Sequence, residues 1–452
     1  MRIQSWVALL VFAGTLTTRV WGVASDFPLQ RDQVRDWGIA LGPFTSLPLV
    51  GPATHVGGYT IGPAFYWILW FVRVTVGPWA DNLPHAGGIG QAILGTAADT
   101  LLLVAIWRRF RSPWTALATI VLIVTSPFDL SFAAVIWNPV IGATLAKVAM
   151  ALVLLDVPRR SPAAAGLTAA VAWSAIHAYT GAVFVTAGVF AAILFDARAR
   201  GDRRAVGRNA LAIVAAVALL QLPYVIHQAS RGFRDSAMGA VSGSVGQILS
   251  GREGPRVMAS VDGYLAAVQY LQASPWSPSL EAVGWTLLAC GIGVAIRYRR
   301  DWTVLAITLV PQLAAIAGYA FFLAELDAYY YLPLMPAAGL TAVLGVTTLA
   351  RSRRGAALLG AAALAAALWA TPARVAARSS RMPEYEVIVG ASRRIAASRQ
   401  PLRQVRTAFA LPPTGDAEFV FKILGGRIER TSSWYAIITA DGGVVYRRVA
   451  DR

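Results

Sequence analysis

The sequence predicts an all-α polytopic membrane protein with a small C-terminal extracytoplasmic α/β domain. Three observations carry this. Of the 452 residues, 56% are hydrophobic and 14% charged, far more apolar than a soluble domain. Apolar runs near span length recur from Trp6 to Trp369, and arginine clusters fill several of the gaps between them. Beyond Trp369 the chain turns polar, and short alternating segments flank a turn sequence.

A crossing needs about 20 apolar residues. In order, the runs are Trp6 to Ala24, Ile61 to Val76, Ile89 to Trp107, Trp114 to Phe128, Ala133 to Leu155 and Ala163 to Trp173. Tyr179 to Phe195, Ala210 to Ile226, Ala282 to Ile296, Trp302 to Phe322, Tyr329 to Leu349 and Ala356 to Trp369 follow. The first run has only Arg2 before it and no good small-x-small cleavage site after it, so it reads as a retained span. The arginine clusters lie at 108–111, 159–160, 198–208, 297–300 and 351–354. They are separated by even numbers of crossings, which places them all on the cytoplasmic side. That rule accounts for the net charge of +17 without nucleic acid as a partner. The run Ile61 to Val76 breaks the alternation. Its Gly62-Pro63 start, its aromatics Tyr66, Trp67 and Trp70, and Arg73 suit an interfacial helix. About 11 spans remain, or 12 if that run crosses.

The membrane domain then covers 1–375, with a first external loop at 25–88 and a second at 227–281 that holds short helices such as Gly263 to Leu271. The extracytoplasmic domain covers 376–452, with its folded part starting near Pro383. Phe419 to Leu424, Trp434 to Thr439 and Val444 to Arg448 read as strands, the last two joined by an Asp441-Gly442-Gly443 turn. The single cysteine, Cys290, permits no intrachain disulfide and no cysteine metal cluster. Neither a GxxxxGK[ST] loop, an HExxH nor a CxxC occurs, which argues against soluble nucleotide chemistry on a standard fold.

The densest chemistry lies in Asp26 to Trp67. Asp32 and Asp36, four apart, share a face of a short helix with Arg31 and Arg35 beside them. The pair reads either as a solvated charged face or as a general base or metal ligand. His55, in the same loop, could hold a phosphate, a hydroxyl or a divalent metal together with Asp32. Tyr59 and Tyr66 complete the loop's candidate substrate-binding residues. Trp137 offers a stacking surface and Asn138 a helix cap before Pro139. His177 falls between two runs on the outer side. Arg231 and Arg234 stand past an external span end, against the chain's own charge pattern, where they could hold a lipid phosphate. Tyr329, Tyr330 and Tyr331 open a late span beside Glu325 and Asp327, as an interfacial belt or a cavity wall.

Four motifs make the sequence resemble the GT-C glycosyltransferases that use polyprenyl-phosphate donors, in the family 39-like branch of protein O-mannosyltransferases and the aminoarabinose transferase. They are Arg31-Asp32-Gln33-Val34-Arg35-Asp36 after the first span, Gly51-Pro52-Ala53-Thr54-His55 leading through Gly57-Gly58 to Gly62-Pro63-Ala64-Phe65-Tyr66-Trp67, Trp137-Asn138-Pro139, and Tyr330-Tyr331-Leu332-Pro333. The resemblance implies an outward cavity under the first external loop and Asp32 as the base of an inverting transfer. The donor would be a sugar on a polyprenyl phosphate, and the acceptor a glycan, glycolipid or protein. It carries no metal over securely. Relatives usually have Asp-Glu where this chain has Asp32-Gln33, so Asp36 stands as the second carboxylate or that role is lost. The location implied is a bacterial inner membrane, multi-pass. The alternative is a lipid or sugar transporter or flippase without transferase chemistry, for which repeats and mid-membrane polar groups would be expected; no repeat is evident.

Overall fold

The computed structural model describes residues 2–21, 23, 27, 29, 31–54, 57–234, 236–271, 278–323, 326–377, 384–409 and 417–448. Helix α1 (Arg2–Trp21) precedes two short helices, α2 (Arg31–Ala40) and α3 (Ala64–Thr75), and the long α4 (Leu83–Phe110). Next come α5 (Pro113–Val124), α6 (Pro127–Phe132), α7 (Asn138–Leu154), α8 (Pro162–Ala178), α9 (Val183–Ala199) and α10 (Arg203–Ser230). The 227–281 loop folds as α11 (Ser236–Leu249) and α12 (Val257–Leu271). After it stand α13 (Leu280–Arg297), α14 (Trp302–Tyr319), α15 (Met335–Thr348) and α16 (Arg353–Ala377).

Serine–proline pairs set the helix starts. Ser112, Ser126 and Ser161 accept the backbone N–H of Thr115, Asp129 and Ala164, and a proline follows each where a helix has no use for an N–H. The pair at 126–127 also cuts the run expected over Trp114 to Phe128, leaving α5 with 12 residues. This is one reason the expected 11 or 12 spans are not found. Among the described residues, eight helices are long and apolar enough to cross a bilayer, while α3, α5 and α7 are shorter apolar helices. At 12 residues, α3 is about 18 Å long against a hydrocarbon core of about 30 Å. It is too short to cross alone.

One end of the bundle gathers the arginine clusters. Arg109, at the end of α4, pairs with Asp156 beyond α7 at 3.2 Å and with Asp301 before α14 at 2.6 Å. Arg159 pairs with Asp196 near the end of α9 at 2.5 Å. Four of the inter-helix gaps therefore meet at one end, as the charge pattern requires.

The C-terminal unit combines α17 (Glu384–Ala397), β1 (Gln404–Thr407), α18 (Ala417–Ile423), β2 (Trp434–Ile438) and β3 (Val444–Arg448). β1 runs parallel to β2, and β2 antiparallel to β3. The strand expected over Phe419 to Leu424 is instead part of α18. Glu418 and Lys422 pair at 2.9 Å across one helical turn while Phe419, Val420 and Phe421 are buried, a pattern that a two-residue period does not produce. β1 was not anticipated. The expected boundary near Pro383 lies outside the described residues.

This unit shares one hydrophobic cluster with the 25–88 segment, since Phe27, Leu29 and Trp37 bury together with Tyr385, Ile388 and Val389. Tyr385 donates its hydroxyl to Asn82 at 2.8 Å, and Arg393 pairs with Asp81. The rings of Phe27, His85 and Tyr385 meet pairwise at 5.3 Å.

If α3 lies at the interface, a cysteine at Ala80 in a Cys290→Ala background stays on the external side. It should react with a membrane-impermeant maleimide on intact cells. Labelling only after permeabilisation would show that the segment crosses.

Candidate active site

Helix α2 is the element that presents the acids. Its two carboxylates occupy different environments although they lie one turn apart. The Asp32 side chain is 45% exposed, whereas that of Asp36 is 2% exposed. Arg35 bridges them, at 3.1 Å from Asp32 Oδ1 and 2.8 Å from Asp36 Oδ1. Tyr66, on α3, donates its hydroxyl to Asp36 at 3.1 Å. Trp137 donates its indole N–H to Asp32 Oδ2 at 3.3 Å. Gln33 is buried, so the position where the sequence resemblance implies a second acid is turned into the protein.

Burial pushes the Asp36 carboxyl up to about 6, against the opposing pull of its hydrogen bond and ion pair with Arg35. Desolvation is also the largest single influence on Arg35, but the hydrogen bond to Asp36 and the charges of Asp36 and Asp32 together outweigh it and raise Arg35. Both shifts are upward, but they disfavour the charged Asp36 and favour the charged Arg35, because Asp36 is almost fully enclosed while a third of Arg35 meets solvent. The upward shift of the enclosed acid is the controlling one.

An aromatic wall continues from Asp32. Trp137 precedes α7, and its ring lies 5.2 Å from Tyr329 and 5.4 Å from Phe132. Tyr329 also approaches Tyr179 at 6.4 Å. The three consecutive tyrosines take different partners along a 3-10 turn over Ala328–Leu334, although the Tyr329 and Tyr330 rings meet edge-on at 4.7 Å. Tyr329 faces Trp137, Tyr330 lies over Tyr319 at 6.3 Å, and Tyr331 is fully buried with its hydroxyl donated to the Ser260 carbonyl at 3.1 Å. Tyr331 thus supports the wall from behind. Asn138 is the first residue of α7 and makes no side-chain cap bond, so the expected capping role is not realised.

His177 does not sit in an open interfacial loop. It lies in the last turn of α8, fully buried, with Nε2 at 3.4 Å from Gln221. Its carbonyl accepts the Thr60 hydroxyl at 3.1 Å. This packing explains the glycines of the 51–62 segment. A Cβ on Gly62 would fall 2.2 Å from the His177 ring, and one on Gly51 would fall 1.9 Å from Thr60 Oγ1. Gly57 and Gly58 take positive φ at the tip, where Ala53 bridges Tyr59.

That hairpin forms a second concavity with the end of α10. A cavity of about 360 Å³ is lined by Thr54, Tyr59, His227, Gln228, Arg231 and Arg234, among others. The Tyr59 and His227 rings meet edge-on at 6.0 Å. Tyr59 and Arg231 therefore belong to this basic pocket rather than to the direct surroundings of Asp32. His55 lies outside the described residues, as does the side chain of Arg31, which opens α2. Among the described residues, no group of three or more His, Cys, Asp or Glu side chains is arranged to hold a metal.

The charges missed by sequence reasoning lie inside the bundle. Arg19, Asp99, Asp129 and Lys147 meet at 2.6 to 3.6 Å. Their signal was present as lone charges within or beside apolar runs, which are costly unless paired. His227, next to Ile226 at a span end, was also missed.

No protein-family model matches this sequence, and no curated protein matches it. Solved structures match in fold. ArnT from Cupriavidus metallidurans bound to undecaprenyl phosphate aligns with a TM-score of 0.55 and 16% identity, over 94% of this chain and 85% of that one. Its apo state aligns at 0.55 and 15%, over 95% and 86%. The apo oligosaccharyltransferase of Archaeoglobus fulgidus aligns at 0.55 and 14%, over 94% of this chain and 64% of that one. The chain therefore shares the fold of these membrane proteins, and the likeness does not single out the family 39 branch.

Two outcomes follow from this geometry. The Asp36 carboxyl goes from 3.8 unfolded to about 6 folded, so the folded state binds more protons between those values. Its contribution is full below about pH 4 and is lost as pH rises to about 6, a change on the order of 2–3 kcal/mol. Asp36→Asn should flatten the thermal midpoint between pH 4 and 6.5; parallel profiles for parent and variant would rule out this titration. Gly62→Ala should lower stability by about 1–3 kcal/mol through the clash with His177, read as a lower melting temperature in detergent. An unchanged midpoint would mean that the 51–62 segment can move away from α8.

Proposed function

We propose that this protein transfers a sugar from a polyprenyl-phosphate donor to an acceptor hydroxyl at the extracytoplasmic face of a bacterial inner membrane, with inversion at the anomeric carbon. The observation that carries the reading is the half-exposed Asp32 carboxylate, oriented by Arg35 and Trp137 beside an aromatic wall, on a fold like that of ArnT bound to undecaprenyl phosphate.

In this reading Asp32 accepts the proton of the acceptor hydroxyl as its oxygen bonds to the anomeric carbon. The bond from that carbon to the donor phosphate breaks, and the phosphate leaves with the electron pair on its lipid. Inversion follows because attack and departure take place on opposite faces of the sugar. Asp32 suits the base because an acceptor can reach it, whereas Asp36 is enclosed by Arg35 and Tyr66. Asp36 then acts by fixing Arg35. Trp137 and Tyr329 offer ring faces for the sugar. The basic pocket of Arg231, Arg234 and His227 suits the phosphate. It opens where α10 leaves its solvent-accessible apolar stretch, which includes Leu219, Leu222 and Ile226, so a lipid tail along α10 would bring its phosphate to the arginines. The acceptor is a glycan, glycolipid or protein hydroxyl. Were a divalent metal bound, Asp32 and His55 would be the residues to hold it, through an oxygen and a nitrogen donor, and it would supply positive charge beside the donor phosphate.

Purified protein in membranes, offered a panel of polyprenyl-phosphate sugars, tests this directly. Asp32→Asn should lower transfer by roughly 10²–10⁴-fold, and Asp36→Asn by about tenfold through the loss of Arg35's partner. Arg231→Ala with Arg234→Ala should raise the donor KM more than it lowers kcat. Full transfer by folded Asp32→Asn and Asp36→Asn would remove the catalytic assignment.

A further inference from the structure

The four buried charges do more than cancel one another. Arg19 Nη2 stands 2.7 Å from Asp99 Oδ2 and 2.6 Å from Asp129 Oδ2, and Nη1 donates to Thr96 at 3.0 Å. Lys147 Nζ is 2.7 Å from Asp99 Oδ1 and 3.6 Å from Asp129 Oδ1. The group is electrically balanced, and its side chains are between 1% and 14% exposed. It borders a cavity of about 30 Å³ that Phe128, Phe132 and Leu332 also line.

The places of these residues in the chain are informative. Arg19 ends α1, the helix that leads into the Asp32 segment. Asp129 is in α6 and Lys147 in α7, on either side of Trp137. Phe132, three residues after Asp129, packs its ring on Trp137 at 5.4 Å. Asp99 is in α4, whose Gly87 is the seat for both neighbours: a Cβ there would fall 2.3 Å from Ile136 and 2.8 Å from Trp37 of α2. The helix before α2, the helix on which α2 rests, and the helices on both sides of Trp137 thus meet at one ionic centre.

We propose that Arg19, Asp99, Asp129 and Lys147 are positioning residues that set the Asp32–Trp137 hydrogen bond from within the bundle. A salt-bridged group almost closed to bulk solvent has few alternative geometries, since moving one charge strands another. It holds four helices in fixed register, and Asp32 inherits that register through Trp137. The inference rests on the proposed role of Asp32, but its test does not depend on finding the sugar.

The test is the rate at which Asp32 in the full-length protein couples to an amine through a carbodiimide, read by peptide mass mapping. Trp137→Phe, which removes the indole donor, should raise this rate severalfold. The charge-neutral pair Arg19→Gln with Asp129→Asn, which leaves Lys147 and Asp99 together, should raise it to about the same level. Combining it with Trp137→Phe should add little, as for groups acting through one contact. Arg19→Lys, which keeps the charge and shortens the reach, should fall between parent and pair, and it serves as the test variant if the pair does not fold. Where transfer is measurable, the pair should lower kcat about tenfold and leave KM unchanged. Parental coupling in a folded pair or in Arg19→Lys would overturn the proposal, and so would effects that multiply with Trp137→Phe. Loss of transfer dependence on Asp32 with the coupling pattern intact would instead overturn only the catalytic reading.

Discussion

Arg19, Asp99, Asp129 and Lys147 meet inside the bundle because no bulk water is there to hold them apart. Each ion alone would cost several kcal/mol to bury. Together they are tolerable only while all four keep their places. This makes the group a geometric constraint as much as an energetic one, since the helices that carry it cannot slide independently. α1, α4, α6 and α7 are the helices that lead into or support α2 and Trp137 of the candidate site. The arginine end shows the same principle at lower cost, with Arg109 and Arg159 linking inter-helix gaps through partly exposed pairs that water also helps to satisfy.

At the opposite end, close backbone approach replaces ionic pinning. Gly51 and Gly62 let the first external loop lie directly on His177, and Gly87 lets Trp37 and Ile136 reach α4. Side chains at those glycines would lift the loop off the helices and with it α2. The outcome is an acid pair divided by environment. Asp32 meets solvent, and Asp36 is sealed against Tyr66. Two carboxylates one turn apart acquire different capacities because one face of a short helix is covered and the other is not.

The C-terminal unit belongs to the same arrangement. Its Tyr385 packs on Phe27, and its Arg393 reaches Asp81 before α4. Burial in the low-dielectric seam raises the Glu386 carboxyl, with the Asp81 charge adding to the effect. The unit therefore caps the segment that carries Asp32, and the two share one hydrophobic cluster.

What the sequence by itself determined is the part of the physics that is local or additive. Hydropathy fixes a helical membrane protein, and the charge pattern sets one basic end. The turn residues Asp441-Gly442-Gly443 join two strands, which the structure contains as β2 and β3. The motif around Asp32 and the glycine-rich segment after it identified the region where the acids and the aromatic wall converge. Tertiary structure decided the rest, for reasons of distance and environment. Span number depended on where Ser126-Pro127 broke a run and on α3 being 12 residues long. The fates of Tyr329, Tyr330 and Tyr331 depended on a 3-10 turn whose direction no composition encodes. His177 became a packing residue because the 51–62 segment and Gln221 of α10 closed over it, and Tyr331 because α12 did. Tyr59 and Arg231 met across about 170 residues of chain to form a basic pocket. Periodicity sees neighbours along the chain, whereas burial and pairing are settled by which distant segments the packed helices bring together.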